Sequence, residues 1–358
     1  FVGSASVEVT AESGSEKGSH TIHLPIRSAS SPVTRVVSAI VPAGAKSELR
    51  YKLNGMIGTN SAVVELSTIQ PVDFGRRLKY LLDYPHGCIE QITSGAFPQL
   101  YLPDVSMLQP AEVSKTQENV RSVIGRLAAY QTPNGGFAYW PGGSQPDEWS
   151  TSYAGHFMLE AEKKGYSVPR NLRNAWVNHQ KAASSSWTPD RSGRNRGSDL
   201  IQAYRLYTLV LAGETDMAGM NRLRQQASIS VEARWRLAAA YALAGIGEVA
   251  RELTVGASES SGQYSWNGTY GSPERDMAMM LETLILLNDR DGAARLAQQL
   301  SVRMRGADWM STQTTAYALM ALSHYAAGRA ITTSNAKVQI MVNSQTAEQI
   351  TFQKVMWQ

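Results

Sequence analysis

Two periodicities divide the chain. Up to about residue 70, apolar and polar residues alternate in short runs: Ser6-Val7-Glu8-Val9-Thr10, Thr21-Ile22-His23-Leu24-Pro25-Ile26, Thr34-Arg35-Val36-Val37 and Ser61-Ala62-Val63-Val64-Glu65-Leu66. Glycine, serine and asparagine clusters separate them, which predicts an antiparallel β module. From Phe74 to about Ala327 alanine, leucine and methionine recur at three- and four-residue spacings, the mark of amphipathic helices. Strand alternation returns in Ala336–Val342 and Glu348–Phe352.

Within the helical stretch one kind of segment recurs, apolar along most of its length and opening on a polar or capping residue. Its instances run from Cys88 to Tyr101, Trp149 to Lys163, Asp199 to Leu211, Ala233 to Ala244, Pro273 to Leu287 and Ser311 to Ala326. More polar helices lie between several of them, as in Ser114–Tyr130, Arg170–Ser184 and Gly292–Arg303. A helix apolar nearly all round must be buried, whereas one with a polar stripe can face water. Six buried helices alternating with outer ones predict an α6/α6 toroid inserted between antiparallel β segments of a small β-sandwich. An irregular bundle or an open solenoid competes, although a solenoid would show a steadier repeat length. The expected division is a β part over 1–73, a helical domain over 74–329 and a second β part over 330–358. Because the chain starts and stops inside apparent β-structure, it reads as part of a longer polypeptide.

Composition narrows the chemistry. The 358 residues are 43% hydrophobic and 18% charged, enough for one large core and a smaller one, so disorder and collagen are out. The formal charge of +4 is spread thinly, with no basic run to track a phosphate backbone, and nucleic acid is not an expected partner. No stretch reaches the ~18–20 apolar residues of a membrane span, and Phe1-Val2-Gly3-Ser4 lacks a signal-peptide pattern. One cysteine and six scattered histidines exclude an internal disulfide and disfavour a metal site. No cofactor or metal is expected.

That lone cysteine lies in Asp83-Tyr84-Pro85-His86-Gly87-Cys88-Ile89-Glu90-Gln91. Cysteine and glutamine three apart at a helix start share a face. Gly87 allows a close approach just before the cysteine, and the N–H groups of a helix terminus are expected to favour thiolate over thiol. A thiolate beside a side-chain amide can displace ammonia and leave a Cys88–Gln91 thioester. Such a bond is an activated acyl group. A lysine amine or a hydroxyl attacking the Gln91 carbonyl would release Cys88, and a shielded pocket is needed to keep water out. Tyr84, Tyr139 and Trp140 are candidate lids, as well as ordinary core aromatics. Glu90 is expected either to meet backbone amides of the first turn or to position Gln91.

The segment resembles the thioester motif of the alpha-2-macroglobulin family, Gly-Cys-x-Glu-Gln after a proline, matched here by Pro85, Gly87, Cys88, Glu90 and Gln91. The aromatic lead-in with Tyr84 and Glu148–Tyr153 after a Gly-Gly-Phe turn are similar to the bacterial branch, and Ser311–Thr315 resembles the family too. The resemblance implies a thioester-containing toroid, flanked by two parts of a CUB-like domain, in a broad-spectrum protease inhibitor that is not an enzyme. It implies a Cys88–Gln91 cross-link with Gly87, Glu90, Pro85, His86 and Tyr84 in support. It further implies attacking proteases and shielding domains of the parent chain as partners, with a periplasmic or cell-surface, lipid-anchored placement. In the complement branch a histidine opens the third inner helix and promotes transfer to hydroxyls. Here Gly197-Ser198-Asp199 stands there, which implies a preference for amines, with His86 and His156 as possible stand-ins.

Other readings compete. Toroids also host glycosidases, and Asp147, Glu148, Asp199, Glu274 and Asp276 all fall near inner-helix starts, although acids there also complement helix N-termini. Gln131–Phe137 is similar to a triterpene-cyclase element but occurs once, without an aspartate-rich run, and reads more simply as a turn. Cys88 is also compatible with a cysteine nucleophile partnered by histidine, or with an inert scaffold.

Overall fold

In the computed structural model the described residues are 3–26, 87–105, 108–189, 197–257, 268–306, 308–329, 336–342 and 345–352, with scattered positions between 35 and 81. The chain divides into two compact units, Phe1–Val64 and Glu65–Gln358.

In the first unit β1 (Gly3–Ser13) pairs antiparallel with β2 (Glu16–Ile26), Val7 facing Ile22 and Ala5 facing Leu24. The two-residue connection uses Gly14 at φ +61°, the positive φ that a tight hairpin demands. The other two predicted strands are absent from the described residues. The described residues of 34–37 and Ser61–Val64 are irregular, and Val63 is 84% exposed. Their β-branched alternation supplies a propensity, but a strand also needs a partner edge and a face to bury.

The second unit is mainly helical and ends in the hairpin β3 (Ala336–Val342) and β4 (Gln345–Phe352). Among the described residues its helices of eight or more residues are α1 (Ile89–Ala96), α2 (Pro110–Leu127), α3 (Glu148–Lys163), α4 (Arg170–Ser186), α5 (Ser198–Leu211), α6 (Met217–Arg224), α7 (Val231–Leu243), α8 (Gly247–Thr254), α9 (Pro273–Leu286), α10 (Arg290–Arg305) and α11 (Thr312–Arg329). A 3-10 segment, Phe97–Leu100, extends α1.

The odd-numbered helices form a closed ring. Each packs on the next from α1 through α3, α5, α7 and α9 to α11, and α11 returns to α1. Their sequences explain why: α3 is buried on every side from Trp149 to Ala161, and α9 from Arg275 to Leu284. The even-numbered helices lie outside and bury one stripe each. In α2 the stripe is Thr116, Val120, Val123, Ile124 and Leu127, a helical i, i+4, i+7 spacing. The eight-residue α6 and α8 join the outer layer, although their short polar sequences gave no clear periodic signal.

The caps bear out the polar openings. Asp147, Ser230 and Ser272 accept from backbone N–H groups at the starts of α3, α7 and α9. At the far end of α10, buried Arg77 donates to the carbonyls of Met304, Gly306 and Asp308. That guanidinium meets the orphan carbonyls of the helix terminus.

The ring is filled at its centre, and unusually for a core the filling is polar. Arg236 donates to Glu282 at 2.9 Å and lies over the Tyr207 ring at 4.4 Å. Tyr317 donates to the Tyr204 hydroxyl at 2.9 Å, and His156 Nδ1 is 3.0 Å from that same hydroxyl.

Candidate functional site

Every inner helix begins at the same end of the ring, and Cys88 stands at the start of the first. It is the N-cap residue of α1, with extended backbone (φ −95°, ψ 160°), and is 1% exposed. Among the described residues its surroundings come from three stretches of chain. From its own turn, the Gly87 N–H donates to Gln91 Oε1 at 3.3 Å, folding the glutamine amide back over the cysteine turn. From the α2–α3 connection, Tyr139 accepts the Ile89 N–H at 3.0 Å through its carbonyl. From the approach to α9, Tyr270 stacks on Tyr139 with ring centroids 5.6 Å apart.

Gly87 is required for a steric reason. A Cβ there would stand 2.9 Å from Cζ3 of Trp140, whose ring lies over the turn. The close approach expected at Gly87 is therefore made by a side chain. The Gly87 carbonyl in turn accepts from the Tyr130 hydroxyl at 3.0 Å.

The expected thiolate is not what this environment favours. Burial pushes the Cys88 thiol above its usual pKa and the nearby Glu90 charge adds to that, while the Tyr139 hydroxyl and the N–H groups of Gln91 and Glu90 pull back less strongly. The sulfur makes no full capping hydrogen bond, so the helix terminus does not outweigh desolvation.

Glu90 takes neither expected role. Its carboxylate turns into the ring, accepting from Ser94 Oγ at 2.7 Å and from Thr312 Oγ1 at 2.9 Å. Thr312 opens α11, so Glu90 ties the last inner helix to the first. Burial raises its carboxyl above the usual range, and the two hydroxyls partly offset this. Tyr84, Pro85 and His86 lie outside the described residues.

His156 belongs to the centre of the ring and not to the groups acting on Cys88. It is fully buried, and desolvation holds its imidazole well below the usual range and therefore neutral. The acids of the rival glycosidase reading are all engaged. Asp147 caps α3, Asp199 accepts the Ser230 N–H at 2.6 Å, and Glu274 and Asp276 pair with Arg303 and Arg275 at 2.7 Å. Glu148 lies 3.6 Å from Arg205. Gln131–Phe137 is a turn closed by a bridge between its ends, with Gly135 at φ +90°. A Cβ on Gly135 would meet the Ala175 carbonyl of α4.

Tyr270, Tyr130 and Thr312 went unnoticed as site residues. Ser311–Thr315 carried a signal for the last, since it stood out as a polar opening. Tyr130 and Tyr270 carry none, because aromatic residues beside turns are common in any helical domain.

The same arrangement of helices occurs in known proteins. Alpha-2-macroglobulin of Escherichia coli K12 is 29% identical over 265 residues, covering 69% of this chain and 16% of that protein. Salmonella alpha-2-macroglobulin reacted with methylamine superposes with a TM-score of 0.67 at 26% identity, covering 82% of this chain and 20% of that one. The chain is similar to bacterial alpha-2-macroglobulins in both sequence and fold. Trypsin-activated Escherichia coli alpha-2-macroglobulin, also 26% identical, superposes with a TM-score of 0.60 over 82% of this chain and 20% of that one. No protein-family model matches the chain. This bacterial alpha-2-macroglobulin homologue thus spans about a sixth of the length of its Escherichia coli K12 relative. The mainly helical fold with antiparallel β pieces is shared with these alpha-2-macroglobulins.

Proposed function

We propose that Cys88 and Gln91 form an internal thioester, and that this chain is the reactive part of a protease trap. The observation that carries the reading is the Gly87 N–H donating to Gln91 Oε1, which holds the glutamine acyl group over the cysteine turn of a buried site. Formation joins Sγ of Cys88 to the side-chain carbonyl carbon of Gln91 and releases ammonia. An amine then attacks that carbon, the carbon–sulfur bond breaks, and an amide and a free thiol result.

The geometry suits this chemistry in two respects. Charge that develops on Oε1 during attack is met by the Gly87 N–H, a donor fixed by the turn. Tyr139 and Trp140 cover the turn, limiting hydrolysis by water. Lysine amines of an attacking protease are the nucleophiles, in line with Gly197-Ser198-Asp199, and no histidine, at the start of α5. Cleavage of a bait segment elsewhere in a longer parent would expose the site, and other domains of that parent would shield it beforehand. A periplasmic or cell-surface setting, with the parent lipid-anchored, fits such a trap. In this reading residues 1–73 and 330–358 are the two parts of a CUB-like domain around the thioester domain at 74–329.

Intact mass before and after methylamine, with a thiol reagent, tests the proposal. The expected results are a native mass lower by one ammonia, uptake of one methylamine at Gln91, and a thiol that appears only afterwards. Cys88→Ala should abolish uptake while leaving the helical fold intact. A freely titrating Cys88 with no amine uptake in the intact protein refutes the reading.

A further inference from the structure

Cys88 and Gln91 are close neighbours in sequence, yet the helical turn that carries them is poorly secured from within. Cys88 gives α1 no capping hydrogen bond, and α1 is eight residues long, too short to keep a helical turn without packing. The fastening comes instead from a chain of side chains that crosses three inner helices. Thr312, the first residue of α11, donates to the two oxygens of the Glu90 carboxylate at 2.9 and 3.0 Å. Ser94 Oγ donates to the same carboxylate at 2.7 Å and lies 3.0 Å from the Tyr153 hydroxyl of α3. Glu90 and Thr312 are 6% and 7% exposed, so water is a poor substitute for either partner. Without Thr312 an inward Glu90 would be a buried carboxylate short of donors, so the inward turn is favoured only once α11 has docked.

We infer that closure of the ring is what lets the thioester form, with Thr312, acting through Glu90, as the positioning residue that sets Gln91 against Cys88. The inference rests on the thioester reading above. Among the described residues the Glu90 carboxylate bonds to Ser94 and Thr312 and not to Gln91, so the effect passes through the backbone that residues 90 and 91 share. Successive residues of a helix project about 100° apart. With Glu90 held toward the ring, Gln91 stays half-buried at the turn, where its Oε1 accepts the Gly87 N–H at 3.3 Å. Rotating α1 by about 10° carries a group roughly 5–6 Å from the helix axis through about 1 Å, and a misplacement of that size costs about 100-fold in rate.

The step under control balances without a further reactant. Sγ of Cys88 bonds to the side-chain carbonyl carbon of Gln91, the carbon–nitrogen bond breaks, and the thiol proton leaves with the amide nitrogen as ammonia. This order of events protects the product. A thioester made on a free α1 would stand in water, whereas one made after closure is made at a cysteine already only 1% exposed.

The test follows the mass deficit of one ammonia in the intact protein from the end of cell-free synthesis, with circular dichroism of each purified variant to show that the helices have formed. In the wild type the deficit should become complete. In Thr312→Val it should grow about 100-fold more slowly, with Cys88 titrating as a free thiol meanwhile. Thr312→Ser restores the hydroxyl and should return the wild-type rate. Thr283→Val controls for a purely structural loss, since it removes a buried hydroxyl that donates to the Trp235 carbonyl at 3.1 Å, between α9 and α7. It should leave the rate unchanged. A wild-type rate in Thr312→Val, or an equal slowing in Thr283→Val, overturns the inference and leaves the thioester reading standing. If Thr312→Val does not fold, Ser94→Ala decides, because it removes the 2.7 Å donor to the same carboxylate, and an undiminished rate there overturns the inference. If the wild-type protein has neither mass deficit nor amine uptake, the thioester reading falls and the inference with it.

Discussion

The seam between α1 and α11 offers the sharpest test of the architecture. Glu90 is 6% exposed, and its carboxylate is held by Ser94 Oγ at 2.7 Å and by Thr312 Oγ1 at 2.9 and 3.0 Å to its two oxygens. Thr312→Val preserves shape and removes one donor from a buried acceptor. A hydrogen bond to a charged group contributes about 1.5–3 kcal/mol, so a loss of about 2 kcal/mol is expected at neutral pH. For a helical unit of this size that is a fall in Tm of about 4–8 °C.

The dependence on pH separates this account from a general packing defect. The Glu90 carboxyl has its folded pKa raised above the ordinary value by burial. The folded state therefore binds the proton more tightly than the unfolded state does. Its contribution to stability is fully present below the unfolded value and is lost as pH rises through the raised folded one. Removing the Thr312 donor raises that pKa further, so the variant should lose more at pH ~7 than at pH ~4, where protonated Glu90 needs fewer donors. Thermal unfolding followed by far-ultraviolet circular dichroism at both pH values measures the difference. An equal loss at both, or none, refutes the claim that Glu90 fastens the ring.

Two further outcomes follow from the packing. Gly87→Val should push the exposed Trp140 ring off the turn, abolishing amine uptake with little change in Tm, and adding Trp140→Ala should restore part of it; normal uptake in the single variant contradicts the steric account. Glu282→Leu strands buried Arg236 and should cost about 3–5 kcal/mol by chemical denaturation, whereas the double variant with Arg236→Met should regain most of it. A double variant as unstable as the single one contradicts the ion-pair account.

The inner helices were legible because a segment such as 149–161, apolar or small on all faces, has only one kind of place to go. The hairpin Gly3–Ile26 was legible because alternation there is met by a pairing partner, whereas Ser61–Val64 pairs with none of the described residues. Ring closure was suggested by number and drifting spacing, but its fastening was not, since Glu90 and Thr312 lie 222 residues apart. The reactive motif was legible as chemistry. The thiol's raised pKa was not, because burial is a property of the whole ring while the helix terminus is visible locally. Arg236 and Glu282 escaped notice because charges inside an alanine-rich segment look like a solvated face until the neighbouring helices surround them.

Closure of the ring also carries an entropic cost of its own. α1 and α11 pack side by side although 222 residues separate Glu90 from Thr312. Loop-closure entropy grows with the logarithm of length, so this contact costs about 3 kcal/mol more to make than one closing a loop of roughly ten residues. The seam is therefore the place in the ring where a lost hydrogen bond has the least local chain to hold the helices together.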